Sequence, residues 1–289
     1  MFSDYFKAFL QYILPKKALT LLAGFLANVK IPAIKNHLIH YFIRKYDVNL
    51  REAQEDVAEN YADFNAFFIR HLKPGARPIA SADIVSPVDG YISEMGRINE
   101  SMLLQAKGRY YSIHELLACD KELCSQFNSG LFATLYLSPQ DYHRVHMPID
   151  ATLKEMIYVP GKLFSVQPAT TRMIPKLFSR NERLVVFFDT SVGLMAMVLV
   201  GATIVGAIGT SWHGDIARSR TRRHVACPEG SKMSTALQKA EEMGYFKLGS
   251  TVILLFADNN RVQWEKGLCA GDKIHFGHAL ATITLEKSP

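Results

Sequence analysis

The stretch Glu242-Met243-Gly244-Tyr245-Phe246-Lys247-Leu248-Gly249-Ser250-Thr251 runs directly into the apolar run Val252-Ile253-Leu254-Leu255-Phe256. Its composition predicts a helix ending near Gly244, a short exposed turn, and a β-branched strand from Thr251. The Gly249–Ser250 bond then falls at the mouth of a core strand. Gly249 has no Cβ, so its carbonyl carbon is open to close approach and its torsions tolerate strain. The Ser250 hydroxyl lies one residue beyond that carbonyl, as an intramolecular N-to-O acyl shift requires. A plain loop leading into a strand is the other reading of these residues.

Two upstream segments carry titratable groups of interest. Ile84-Val85-Ser86-Pro87-Val88-Asp89-Gly90-Tyr91-Ile92 reads as strand, tight turn and strand. Asp89 is there either a turn residue bonding its own backbone or a carboxylate that orients a histidine. The β-prone run Leu131–Leu137 ends in Ser138-Pro139-Gln140-Asp141-Tyr142-His143-Arg144-Val145-His146-Met147-Pro148. Ser138 as N-cap, Pro139 at N1 and Asp141 at N3 predict one short helical turn. His143 and His146 are open to three readings: metal ligation without a third ligand at a telling spacing, structural histidines, or acid–base work near neutral pH.

The chain has 289 residues, with 33 Lys and Arg against 27 Asp and Glu; the formal charge of +6 is too small to indicate nucleic acid. Its placement says more. Residues 1–45 carry Lys7, Lys16, Lys17, Lys30, Lys35, Arg44 and Lys45 against Asp4 alone. Residues 3–46 read as two or three amphipathic helices broken near Pro15 and Pro32, with Phe6, Phe9, Leu10 and Ile13, then Leu19, Leu22, Phe25, Leu26 and Val29, at helical spacing. Such helices suit either a layer among anionic headgroups or a cap packed on the domain behind. No signal peptide and no membrane span are expected. Cys119, Cys124, Cys227 and Cys269 form no C-x-x-C pair, so buried, reduced thiols are the default expectation. Residues 47–63 read as helical, Gln167 to Arg180 as a mobile loop beside the site, a lid or a plain surface loop, and Ser231 to Met243 as helix-permissive.

Taken together, Leu248-Gly249-Ser250-Thr251, Ser86-Pro87-Val88-Asp89-Gly90, Asp141-Tyr142-His143-Arg144-Val145-His146-Met147-Pro148, Tyr158-Val159-Pro160-Gly161-Lys162 and the entry string Phe64 to Ile79 resemble the bacterial phosphatidylserine decarboxylases, over about residues 60–285. The resemblance implies an α+β protein: a helical membrane-associating region at 1–72, then a β-rich catalytic domain of sandwich or flattened-barrel form at 73–289. It implies that Asp89, His146 and Ser250 form a relay that cuts the Gly249–Ser250 bond, giving chains 1–249 and 250–289. Ser250 would become a covalent pyruvoyl group, with no metal and no pyridoxal phosphate. That group would take the serine headgroup as a Schiff base, release carbon dioxide and leave phosphatidylethanolamine, with His143 handling protons. The implied partners are phosphatidylserine and an anionic membrane surface at the cytoplasmic face of the inner membrane, bound peripherally. The two cleavage chains would stay associated and dimerise further, with no nucleic acid involved. Two rivals are a lipoyl or biotinyl carrier-like barrel, which lacks a convincing attachment lysine near Asp89, and a serine hydrolase, which lacks a Gly-x-Ser-x-Gly elbow.

Overall fold

Two prolines divide the first part of the chain into three helices: α1 (Phe2–Ile13), α2 (Lys16–Ala27) and α3 (Pro32–Tyr46). Pro15 precedes α2, and Pro32 sits in the first turn of α3, where its missing N–H costs nothing. The computed structural model describes residues 2–106, 108–203, 207–225, 236–258 and 260–284; Cys227, Gly206 and residues 231–235 lie outside the described residues. Residues 47–63 form two single 3₁₀ turns, Leu50–Glu52 and Ala58–Asn60, where a longer helix was expected. The short helix α4 (Phe64–Phe68) follows, capped by Asp63 accepting from Ala66 N–H.

Beyond residue 83 the fold is almost entirely antiparallel sheet. The central sheet runs in the order Arg223–Val225, Ala151–Val159, Arg183–Thr190, Gly193–Gly201, Ser250–Phe256, Leu131–Leu137, Gly90–Arg97, Lys273–Ile274. Ser250–Phe256 is therefore an interior strand, paired with Leu131–Leu137 on one side and Gly193–Gly201 on the other. Its seven residues are all buried, and their alternation serves two cores. Val252, Leu254 and Phe256 enter one apolar cluster, whereas Ile253 and Leu255 enter the cluster on the opposite face. That two-sided burial is why the run lacks polar alternation and reads as continuously apolar.

A second sheet, ordered Gly214–Asp215, Ala207–Thr210, Glu242–Lys247, Arg144–His146, covers the end of the central strand. Glu242–Lys247 is thus a strand, correcting the helix expected to end near Gly244. Gly244 explains it: a Cβ there would meet the Gly209 carbonyl oxygen at 2.2 Å, so the residue is a close approach between paired strands and not a helix cap. Ser138 to Asp141 is likewise a turn, with Asp141 N–H donating to the Ser138 carbonyl and Ser138 N–H to the Asp141 carboxylate. The same two residues that suggested a helix start satisfy each other, and the chain returns to strand at Arg144.

Residues 167–180 are a packed segment, not a mobile loop. Ile174, Leu177 and Phe178 are buried, and the Gln105 side chain bonds the Thr171 and Ile174 carbonyls and the Leu177 N–H. The cysteine expectation is corrected as well: Cys119 and Cys124 are joined in a disulfide, their Cα atoms 6.0 Å apart, and Cys269 is exposed. Ala118, in the left-handed region at φ 51°, turns the chain between two short helices and brings the two sulfurs together.

Leu254→Ala removes a fully buried side chain from the interior strand and should destabilise the protein by ~3–5 kcal/mol, read as a lower urea midpoint with unchanged slope.

Candidate active site

The polypeptide reaches Ser250 through two residues in the left-handed region, Leu248 at φ 78° and Gly249 at φ 51°. Glycine accepts that conformation freely, whereas for leucine it costs roughly 1–2 kcal/mol. Leu248 is held there by burial: its side chain belongs to an apolar cluster with Ala27, Ile39, Phe64, Phe67 and Phe68 of the helical region. No atom lies within 4 Å of where a Gly249 Cβ would stand, so the peptide group at this position is uncrowded. Ser250 itself is 0% exposed, and its Oγ finds no hydrogen-bond partner among the described residues. A buried hydroxyl left unpaired costs about 1–3 kcal/mol.

His143 is fully buried under Phe68, with ring centroids 4.2 Å apart. Its Nδ1 lies 2.8 Å from the Asp141 carbonyl, and its Nε2 is unpartnered among the described residues. Since a carbonyl only accepts, Nδ1 carries the proton and Nε2 presents a free lone pair. His146 faces another way. Its Nδ1 bonds the Ala240 carbonyl at 2.8 Å, its Nε2 meets the Tyr142 hydroxyl at 3.1 Å, and its ring stacks on Phe276 at 3.7 Å. Burial depresses both histidines, His143 to about 3 and His146 to about 4. Both are therefore neutral at physiological pH and able to take up a proton. The two rings make separate sets of contacts, His143 with Phe68 and Asp141, His146 with Ala240, Tyr142 and Phe276.

Asp89 is buried, and its partners are not the histidine of the anticipated relay. Arg77 reaches its carboxylate with Nη2 at 2.7 Å and Nε at 3.1 Å, Phe276 N–H donates at 2.8 Å, and His275 Nδ1 stands 3.5 Å away. Burial opposes the charge on Asp89, but His275, Arg77 and the Phe276 amide outweigh it and hold the carboxyl well below its usual range. Phe276 lies between the two groups, its amide on Asp89 and its ring on His146. At this separation Asp89 acts on both histidines through its field, which favours their protonated forms.

Sequence reasoning missed Arg77, Phe276, Tyr142 and Arg70. Arg70 is 5% exposed; its Nη2 bonds the Gln140 carbonyl, while Nε and Nη1 find no partner among the described residues. Arg77 lies in the boundary string Pro74-Gly75-Ala76-Arg77-Pro78, which gave no sign of its partner Asp89. The others, too, are brought in only by folding.

The comparisons with known proteins place the chain among the carboxy-lyases. A family model described as phosphatidylserine decarboxylase matches residues 64–282, and one described as PSD matches residues 6–47. The chain is 58% identical over 284 residues to the phosphatidylserine decarboxylase proenzyme of Legionella pneumophila strain Philadelphia 1, covering 98% of this chain and 100% of the relative. It is 47% identical over 283 residues to the proenzyme of that name from Methylibium petroleiphilum, covering 98% and 99%, and 49% identical over 278 residues to that of Vibrio vulnificus strain YJ016, covering 95% and 97%. The chain belongs to the phosphatidylserine decarboxylase family.

The two depressed histidines generate a pH dependence. Each is neutral when folded and binds a proton more readily when unfolded, so the unfolded state holds more protons below pH 6.5. Stability is thus complete above about pH 6.5 and is lost as pH falls toward the folded values. Urea unfolding of uncut Ser250→Ala protein should show a loss approaching ~2 kcal/mol per histidine between pH 6.5 and 5, reduced by one such increment in His143→Gln.

Proposed function

We propose that this phosphatidylserine decarboxylase makes its own reactive carbonyl by cutting the chain before Ser250. The observation that carries the reading is the unpaired, buried Ser250 Oγ next to two consecutive left-handed residues. His146, neutral and held through Nδ1 by the Ala240 carbonyl, takes the Ser250 hydroxyl proton on Nε2 once Tyr142 gives up that atom, and the Asp89 field stabilises the imidazolium that forms. Oγ bonds to the Gly249 carbonyl carbon, the C–N bond breaks, and the Ser250 nitrogen recovers a proton, leaving an ester. Loss of the Ser250 Cα proton then breaks the Cβ–O bond and frees Gly249 as a carboxylate. Water replaces nitrogen at Cα, ammonia departs, and chain 250–289 begins with a pyruvoyl group. Ester formation is uphill, and the strain at Leu248 and the irreversible elimination draw it forward.

The surroundings fit that group: the interior strand holds residue 250 rigidly between Leu137 and Gly201, and burial keeps water away. Bound there, a pyruvoyl group supplies the electron sink that decarboxylation of an amino acid headgroup needs. His143 presents Nε2 as the proton-handling atom, and Arg70 sets a buried positive charge close enough to disfavour a second cation. Low polarity favours loss of the substrate carboxylate, whose charge disperses as carbon dioxide leaves.

Access to a phospholipid comes from the helical region at a membrane surface, in this reading the anionic cytoplasmic face of the inner membrane. The side chains of Phe6, Phe9, Leu21, Leu22 and Phe25 are all more than half exposed, so the apolar stripes point outward. No single described helix is long and apolar enough to cross a bilayer, and α2 and α3, which pass together, are bent by 113°. A cavity of about 610 Å³ beside the helices is lined by Tyr12, Lys16, Lys162, Phe164 and Arg180, apolar rings among cations as at a headgroup layer. The cleavage chains stay together because residues 250–256 remain hydrogen-bonded inside the sheet, and further dimerisation belongs to the same reading.

Ser250→Ala should run as one uncut 32.5 kDa chain without activity, and an active, processed variant would end the account. His146→Ala should stay uncut, whereas His143→Ala should cut yet lose roughly 10²–10⁴ in decarboxylation rate, as expected for a removed proton-transfer group. Removing residues 1–30 should release the protein from vesicles containing anionic phospholipid in a sedimentation assay.

A further inference from the structure

The bond before Ser250 is fixed from two sides by different parts of the molecule. On the C-terminal side, Ser250 is locked into the interior strand, opposite Leu137 and Gly201. On the N-terminal side, Leu248 is 6% exposed and packs among Ala27, Ile39, Val48, Phe64, Phe67 and Phe68, all from the helical region. Only Gly249 spans the gap, and both it and Leu248 take positive φ to do so. Crowding at Gly249 is not the cause, because nothing stands within 4 Å of its missing Cβ. A leucine persists in the left-handed region only where its surroundings over-determine it, and here the surroundings are the helices.

The same cluster also touches the histidine side of the site. Phe68 packs on His143 at 4.2 Å, and Phe42 meets Phe64, Phe67 and Phe68 edge-on, joining α3 to α4. The helical region thus has two working faces. One exposes its apolar side chains; the other grips the chain two residues before the scissile serine.

We propose that the helical region, acting through the buried Leu248 side chain, holds the Gly249 carbonyl in register with Ser250 Oγ, so that Leu248 is a positioning residue for self-cleavage. This rests on the self-processing reading above. The acyl shift has the same balance as before: the Oγ–C bond forms, the C–N bond breaks, and the proton taken from the hydroxyl ends on the freed Ser250 amine. Leu248 contributes geometry alone. Once the bond is cut, the anchor keeps the new Gly249 carboxylate tied to the helices, away from the freed residue 250.

The test follows processing of freshly synthesised full-length chain, with hydroxylamine added to intercept the ester as a hydroxamate on chain 1–249. Leu248→Ala and Leu248→Gly should both slow cleavage by about tenfold or more and lower hydroxamate yield in proportion, since a displacement of about 1 Å costs that much or more. Leu248→Met, which refills the same pocket, should return to within about threefold of the parent. Ile39→Ala, which trims the buried apolar cluster to which Leu248 belongs, should slow cleavage without altering the scissile segment. A Leu248→Gly chain that cuts as fast as the parent would overturn the proposal, as would an unaffected Leu248→Ala. A variant that fails to fold leaves the decision to Leu248→Met and Ile39→Ala, where cleavage at the parent rate by the latter would count against the anchor. If the parent chain itself never cuts, the self-processing reading fails instead, and the two failures are told apart by that control.

Discussion

Everything in this molecule hangs on Ser250 being the first residue of a strand paired on both sides. Hydrogen bonding to Leu137 and Gly201 leaves the serine no rotational or translational freedom in its backbone, while Leu248 and Gly249 must turn through the left-handed region to reach it. A rigid frame meeting a forced turn concentrates strain on one peptide group. Burial then removes the water that would otherwise satisfy the hydroxyl. The result is a hydroxyl without a hydrogen-bonding partner among the described residues, beside a carbonyl without crowding.

The surroundings of the two histidines keep both of them neutral. Burial keeps His143 and His146 unprotonated, and Arg144 and Arg70 add to that effect, while Asp89 works against it from behind Phe276. Asp89 is itself kept ionised by Arg77, which also pairs with Glu52 of the segment before α4. The catalytic sheet is therefore tied to the segment linking it to the helices electrostatically at Arg77 and by packing at Leu248. Arg144 makes a third tie, donating to the Ile69 carbonyl and pairing with Glu242. These contacts join residues on the two sides of position 72.

Much of this was legible in the chain. Pro15 and Pro32 marked the helix breaks, 3.6-residue spacing gave the apolar stripes but not which way they face, and Val252 to Phe256 announced a buried strand by its unbroken apolar run. The misreadings have definite causes. Glu242–Lys247 carries helix-friendly residues, yet Gly244 admits a neighbouring strand's carbonyl where any Cβ would clash, and tertiary pairing overrode local preference. Ser138 and Asp141 have the chemistry of a helix start, and they spent it on each other in a turn. Cys119 and Cys124 were passed over because five residues is not a metal or redox spacing, whereas the fold needed only a left-handed Ala118 to join them.

By itself, then, the sequence determined the order of elements, the identity of Ser250, His143, His146 and Asp89 as the groups worth watching, and the family to which they belong. Those are properties of local pattern and motif, and they survive without coordinates. Only the tertiary structure decided who touches whom: that Asp89 is held by Arg77 and His275, that Phe276 stands between it and His146, and that Leu248 is clasped by helices some two hundred residues earlier. Contacts of that range depend on sheet register and on what the other side chains leave unfilled, and no window of neighbouring residues encodes either.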